Sequence, residues 1–238
     1  RAGPQQTETP ARRRLGEIDD AHVVDFTETP AGVSFRLLWS GAEWGRVTWA
    51  MPGIYNARNA AMAATAAALC AEDGAAPLAG NRAPAFSLAP LARFRGVKRR
   101  QEVLVSTPEL TVIEDFGHHP TALAETLKSF RNRFPGAVLT AVFEPRSNTA
   151  RTNTLQAGFM AALALADEVY LGAVNRADKL KAGERFDTEA VIAHLQSQGV
   201  QGATAPTNAE LLDKLTAASL PVKAGGRPRL VVFFSNGS

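Results

Sequence analysis

From Gln101 onward the chain repeats one pattern: a short apolar run, a turn, then a stretch with helical periodicity. QEVLVST and LTVIED read as two strands joined around Thr107-Pro108-Glu109. Pro120 to Phe134 follows as a helix, with Leu123, Leu127 and Phe130 on one face at i, i+4 and i+7. Its proline sits in the first turn, where a missing N–H costs nothing. VLTAVFE is apolar without alternation, which marks a strand covered on both faces. Helical text over roughly 151–166, the strand EVYLGAV, helices near 187–198 and 207–219 and a last strand, RLVVFFS, complete the series. Strands that alternate with helices dictate an α/β domain built on a mostly parallel, Rossmann-like sheet.

That architecture also says where chemistry belongs. Ligands of such sheets bind beyond the carboxyl ends of the strands. Two polar loops fall there. IEDFGHHP (113–120) ends the LTVIED strand, and EPRSNT (144–149) ends the next one. Both are expected on one rim, each opening a helix whose N-terminus favours anions. In EPRSNT, Arg146 could fork onto a carboxylate, with Ser147, Asn148 and Thr149 as small polar groups beside it. A capped helix with an exposed arginine would read the same way.

Two other readings of IEDFGHHP fail on context. Asp115-Phe116-Gly117 spells the magnesium triplet of kinases, but no Gly-rich loop, strand lysine or HRD loop accompanies it. His118 and His119 are neighbours on a turning chain and point different ways, whereas zinc sites space their ligands and add a third. No metal site is expected from these residues.

Upstream the text changes character. Residues 1–16 are polar and proline-bearing, and from Val23 to Trp49 the sequence alternates. Turn signals at Thr29-Pro30-Ala31-Gly32 and Ser40-Gly41 divide that alternation into short antiparallel strands. After Pro52-Gly53, Asn56 to Leu69 reads as a helix of small residues able to pack closely on a sheet. Asn56 and Asn59 share a face at its start. Their amides match the donor and acceptor edge of adenine, and Asn56 equally suits a helix cap. Gly, Ala and Pro dominate residues 74–92, the expected boundary between a segment 1–91 and a domain 92–238. RFRGVKRRQE, just beyond it, places cations before a strand, where they could grip a phosphate or simply face solvent.

Composition narrows the class. Hydrophobic residues make up 45% and charged residues 21%, which suits a folded soluble domain. The net charge of +3 is small, and the basic clusters at 12–14 and 98–100 lack interleaved aromatics, so no nucleic-acid partner is expected. The single cysteine, Cys70, excludes an internal disulfide and reads as a small buried apolar residue. No run of 18 apolar residues suggests a membrane span. Neither GxxxxGK[ST] nor GxGxxG occurs, so the chain carries no phosphate cradle of its own.

Four segments in fixed order resemble the Mur ligases: PGxxNxxNAxxA from Pro52, FxGVKRRxE from Phe94, an acid followed by DFGHHPTA at 114–122, and FEPRSNT at 143–149. Within that family the EPRSNT and GVKRRQEV spellings resemble members that take a tripeptide rather than free L-alanine. The resemblance implies ATP-dependent, cytoplasmic bacterial enzymes of cell-wall synthesis and murein recycling, which join an amino acid or peptide to UDP-N-acetylmuramate through an acyl phosphate. It implies that residues 1–91 are the tail of the central ATP-binding domain and 92–238 the C-terminal, peptide-binding domain. The P-loop and the carboxylate that holds magnesium would then lie upstream. By position, Asn56 and Asn59 would contact adenine, Arg100 the phosphates and Asp115 the ribose. His118 and Arg100 would take part in catalysis. His118, His119, Arg146, Ser147, Asn148 and Thr149 would line the peptide site. Tyr55 stands where the family usually has histidine. A non-catalytic module that binds peptidoglycan peptides is the alternative of another class.

Overall fold

A computed structural model of the chain describes residues 21–71, 83–219 and 225–235. The arginines at 12–14, the polar start, part of the 74–92 segment and the last three residues lie outside the described residues. Two compact units emerge. One comprises Arg1–Thr27, Ser34–Trp49 and Asn56–Arg93; the other takes Glu28–Val33, Ala50–Tyr55 and everything from Phe94.

The alternating segment forms three strands, β1 (Ala21–Thr29), β2 (Gly32–Trp39) and β3 (Ala42–Trp49), in that order in one sheet. Connections this short join antiparallel neighbours. Alternation does its expected work in β2, where Val33, Phe35, Leu37 and Trp39 are buried and the residues between them are not. Helix α1 (Ile54–Ala71) buries Ala57, Ala60, Ala61, Ala64, Thr65 and Ala68, a single stripe of small side chains. It begins two residues before Asn56, so Asn56 lies in its first turn and does not cap it. Cys70 is exposed, contrary to expectation, because it falls off that stripe.

The second unit carries the expected α/β domain. In chain order it runs β4 (Glu102–Ser106), β5 (Leu110–Asp115), α2 (Pro120–Arg133), β6 (Val138–Phe143), α3 (Gln156–Leu163), β7 (Glu168–Leu171), α4 (Thr188–Ser197), β8 (Gln201–Thr204), α5 (Asn208–Ser219) and β9 (Arg229–Phe234). The sheet order is β4-β5-β9-β6-β7-β8, so the last strand enters the middle. Only the β4–β5 pair is antiparallel.

Helices α2, α3 and α4 cover one face, where Leu123, Leu127, Phe130, Phe159, Leu163 and Val191 close over Ile113, Phe143, Val169 and Val232. Each such side chain contributes about 1.5–3 kcal/mol. On the other face Leu211 and Leu215 of α5 pack with Val142, Tyr170 and Val231.

Two elements differ from the sequence-based reading. Strand β8 has no apolar run to announce it; its Gly202 lies so close to β7 that a Cβ there would meet the Val169 carbonyl. Helix α3 is half the expected length and starts at Gln156, five residues late. The reason lies in the hydroxyls before it. Ser147 Oγ accepts from Ala150 N–H and Thr152 Oγ1 donates to the Thr149 carbonyl, which competes with helical bonding.

Candidate functional site

Strands β5, β6, β7 and β9 end side by side, and the loops that leave them make the expected rim. Asp115, the last residue of β5, is only 4% exposed. Its carboxylate accepts from Gly117 N–H at 2.7 Å and from Gln101 N–H at 3.1 Å. Burial pushes its carboxyl up, against the opposing pull of those two donors and of Arg100. Each oxygen keeps a lone pair for a further donor such as a ribose hydroxyl.

The segment that supplies Gln101 is bent unusually. Arg99 and Gln101 both hold left-handed backbones, with φ of 60° and 54°. Such angles cost a non-glycine residue about 1–2 kcal/mol each, so the surroundings must over-determine them. They do: Arg99 C=O accepts from Phe116 N–H at 2.7 Å, and Arg99 Nε meets Glu114 at 2.7 Å. Arg100, between the two, is exposed and sets its guanidinium over the Phe116 ring at 5.1 Å. It supplies the cation a phosphate needs, so Asp115 and Arg100 fit a nucleotide.

The Gln101 side chain joins Tyr55 to Arg133. Its amide N–H₂ donates to the Tyr55 hydroxyl, and its oxygen accepts from Arg133 Nη1 at 3.2 Å. Burial pushes the Tyr55 hydroxyl up to about 12 and holds the Arg133 guanidinium below its usual value. No sequence pattern announced this trio, because its members are far apart in the chain. Asn56 is half-buried and Asn59 exposed in the first turns of α1; both belong to the other unit.

The two histidines part ways. His118 donates from Nδ1 to the Phe116 carbonyl at 3.0 Å and packs edge-on against that ring. In the neutral ring this fixes Nε2 as the atom able to take a proton. His119 is the cap of α2, where its Nδ1 accepts from Thr121 N–H at 3.3 Å.

EPRSNT is held by turns rather than by a helix. Ser147 caps a turn through Ala150 N–H, and Asn148 Oδ1 accepts from Arg151 Nη2 at 2.8 Å. The expected helix N-terminus at Ser147 and Thr149 is therefore absent, and the positive charge of this loop is that of the Arg146 and Arg151 guanidiniums. Thr149 is exposed. Arg146 is half-buried and faces Glu144 at 3.7 Å.

Glu144 was not expected to matter. Its carboxylate accepts from Asn208 Nδ2 at 3.1 Å and Ser235 Oγ at 2.9 Å, which ties three loop ends together. Behind it lies a cavity of about 190 Å³ lined by Val142, Gly172, Leu211, Leu215 and Phe233. Among the described residues no group of three His, Cys, Asp or Glu side chains could hold a metal ion. No described helix is long and apolar enough to cross a membrane.

Residues 99–235 match the family described as Mur ligase, glutamate ligase domain. The chain belongs to the Mur ligase family. It is 35% identical over 152 residues to the UDP-N-acetylmuramate–L-alanine ligase of Cytophaga hutchinsonii, covering 64% of this chain and 30% of that protein. It is 35% identical over 138 residues to the UDP-N-acetylmuramate–L-alanyl-γ-D-glutamyl-meso-2,6-diaminoheptandioate ligase of Escherichia coli, covering 58% and 28%. Among solved structures, the UDP-N-acetylmuramate–alanine ligase of Thermotoga maritima superposes with a TM-score of 0.64 at 21% identity, over 92% of this chain and 43% of that one. The chain spans under half the length of these Mur ligases.

Proposed function

We propose that this Mur ligase chain is the part of an ATP-dependent ligase that presents the incoming peptide, and that the whole enzyme joins L-Ala-γ-D-Glu-meso-diaminopimelate to UDP-N-acetylmuramate. Residues 1–91 end the central ATP-binding domain, and 92–238 form the peptide-binding domain. ATP, magnesium, the UDP-sugar and the tripeptide are its small-molecule partners, the magnesium ligands lying elsewhere in the enzyme, and the bacterial cytoplasm is its compartment. Bound ATP supplies the phosphoryl group that activates the muramate carboxylate. For this chain's part, Asn56, Asn59 and Asp115 hold the nucleoside, while Arg100 offers positive charge to the phosphates. His118 Nε2 takes the proton from the attacking amine. Ser147, Asn148 and Thr149 line the peptide's path with His119.

The observation that carries the choice of substrate is Arg146, whose one acidic partner among the described residues lies at a loose 3.7 Å. A carboxylate-rich peptide fits that cation better than free alanine does. The names of several relatives favour the second reading, an L-alanine-adding ligase.

A ligation assay on the complete parent enzyme, with the UDP-sugar, ATP and magnesium, separates the two. The tripeptide should be the preferred acceptor, and Arg146→Ala should weaken its use about 10- to 100-fold, the scale of one or two charged hydrogen bonds. A wild type that prefers free alanine would transfer the assignment to the alanine-adding enzyme.

A further inference from the structure

We propose that Gln101 is a positioning residue for nucleotide binding: its side chain fixes the bent backbone that presents Arg100 and bonds Asp115. It acts through those neighbours rather than on a reactant, and the proposal rests on the nucleotide reading of Arg100 and Asp115 above. Arg100 N–H donates to the Val97 carbonyl at 3.2 Å, within a turn bent by the left-handed Arg99 and Gln101. The two bends are secured by different means. Arg99 N–H donates to Glu102 at 2.8 Å, and its carbonyl accepts from Phe116 N–H. Its guanidinium reaches Glu114 at 2.7 Å and the Ser235 carbonyl at 3.2 Å. Gln101 N–H, by contrast, donates to the Asp115 carboxylate, the very group whose place is at stake. What holds the second bend is the Gln101 side chain.

That side chain ends between two fixed partners. A neutral amide offers both a donor and an acceptor. Its N–H₂ donates to the Tyr55 hydroxyl, and its oxygen accepts from Arg133 Nη1 at 3.2 Å. Both partners are fastened to α2. Arg133 lies in the last turn of that helix, its guanidinium 5.3 Å from the Phe134 ring and 5.9 Å from the Phe130 ring. Tyr55 follows Gly53, whose N–H donates to Glu28 at 2.8 Å, and Glu28 also accepts from Ser129 Oγ of α2 at 2.6 Å. Tyr55 and Arg133 are both desolvated, so water poorly replaces a bond lost there. An amide clamped at both of its atoms thus carries the placement of α2 to Arg100, one residue away.

The test uses the complete parent enzyme and a non-hydrolysable ATP analogue with magnesium. Gln101→Leu keeps the bulk and loses both bonds. It should raise the calorimetric Kd for the analogue about 10-fold, the worth of one hydrogen bond to a charged group. KM for the tripeptide should stay within about twofold, a split that a general loss of structure would not give. Gln101→Glu can still accept from Arg133 and from the Tyr55 hydroxyl, and should recover most of the affinity. Tyr55→Phe removes one hydroxyl and no bulk, which keeps the test open should Gln101→Leu fail to fold. Its Kd should rise about threefold, and adding it to Gln101→Leu should change nothing further, because both cut one bond. An unchanged Kd in either folded variant, or equal losses for the analogue and the tripeptide, would overturn the proposal and leave the nucleotide reading standing. An Asp115→Ala enzyme that binds the analogue as wild type does would sink that reading and this proposal with it.

Discussion

The two ends of the six-stranded sheet treat their charges differently. At the amino end, Arg229 forks onto Glu168 with bonds of 2.8 and 3.0 Å, and Glu168 also accepts from Thr140 at 3.0 Å. Nearby, Arg131 meets Asp167 at 2.9 Å, and Asp167 accepts from Leu139 N–H at 2.8 Å. These four groups have their complements. At the carboxyl end Arg99 is tightly paired, with Glu114 at 2.7 Å, but three other cations are loosely matched. Arg146 stands 3.7 Å from its acid, Arg100 rests on an aromatic ring, and the exposed Arg176 meets no acceptor among the described residues. One end is finished as structure, and the other retains binding capacity. The comparison teaches that pairing, not charge itself, separates a rim closed on itself from one open to a further partner.

The largest break in this comparison should come from Glu168→Ala. It strands the Arg229 guanidinium, only 18% exposed, and should cost about 3 kcal/mol of folding stability. Urea unfolding reads that loss, and KM for every substrate should stay put in the protein that remains folded. Next, Asp115→Ala at the opposite end should raise KM for ATP by the equivalent of about 1.5–3 kcal/mol, with little change in KM for the peptide. Peptide kinetics that collapse while ATP kinetics hold would reverse the assignment of Asp115.

The smallest effect sharpens the contrast through pH. Burial raises the Asp115 carboxyl, so the folded state binds its proton more tightly than the unfolded state. The stability of wild type relative to Asp115→Ala should therefore fall as pH rises from the ordinary aspartate value through the raised one. Asp167 has the opposite sign. Burial opposes its charge, but Arg131 and the Leu139 N–H prevail and hold it low. Its contribution is present above the ordinary aspartate value and disappears as pH drops through the depressed one. Because the Asp167 side chain is 36% exposed and its pairing is screened by solvent, Asp167→Asn should cost less than about 1 kcal/mol at neutral pH. Unfolding curves for both variants between neutral and acid pH should show slopes of opposite sign; parallel slopes would remove the distinction between the ends.

Much of the fold was legible because its elements advertise themselves locally. The continuous run VLTAVFE and the stripe of Leu123, Leu127 and Phe130 name a buried strand and the helix over it without tertiary information. The four ordered segments likewise named the family that the match over 99–235 shows. What stayed hidden depends on distance or on backbone shape. Strand β8, QGAT, is defined by its neighbour rather than by its own residues, and nothing in RLVVFFS says that it enters between β5 and β6. Glu144, Asn208 and Ser235 meet across 64 and 91 positions, and Tyr55 meets Gln101 across 46. The left-handed Arg99, Gln101 and Arg176 carry no glycine to signal them. The hydroxyls of Ser147 and Thr152 prefer turns, which is why a helix read from 151 begins only at Gln156.

Amide hydrogen exchange on the complete parent enzyme, with a non-hydrolysable ATP analogue and the tripeptide, tests the distinction between the two ends most directly. Ligand-dependent protection should appear at 115–119, 144–151 and 173–177, with none gained at 138–140, 167–169 or 227–230. Protection that appears at the amino end, or equally at both, would contradict the claim that the loosely paired rim is where this chain binds.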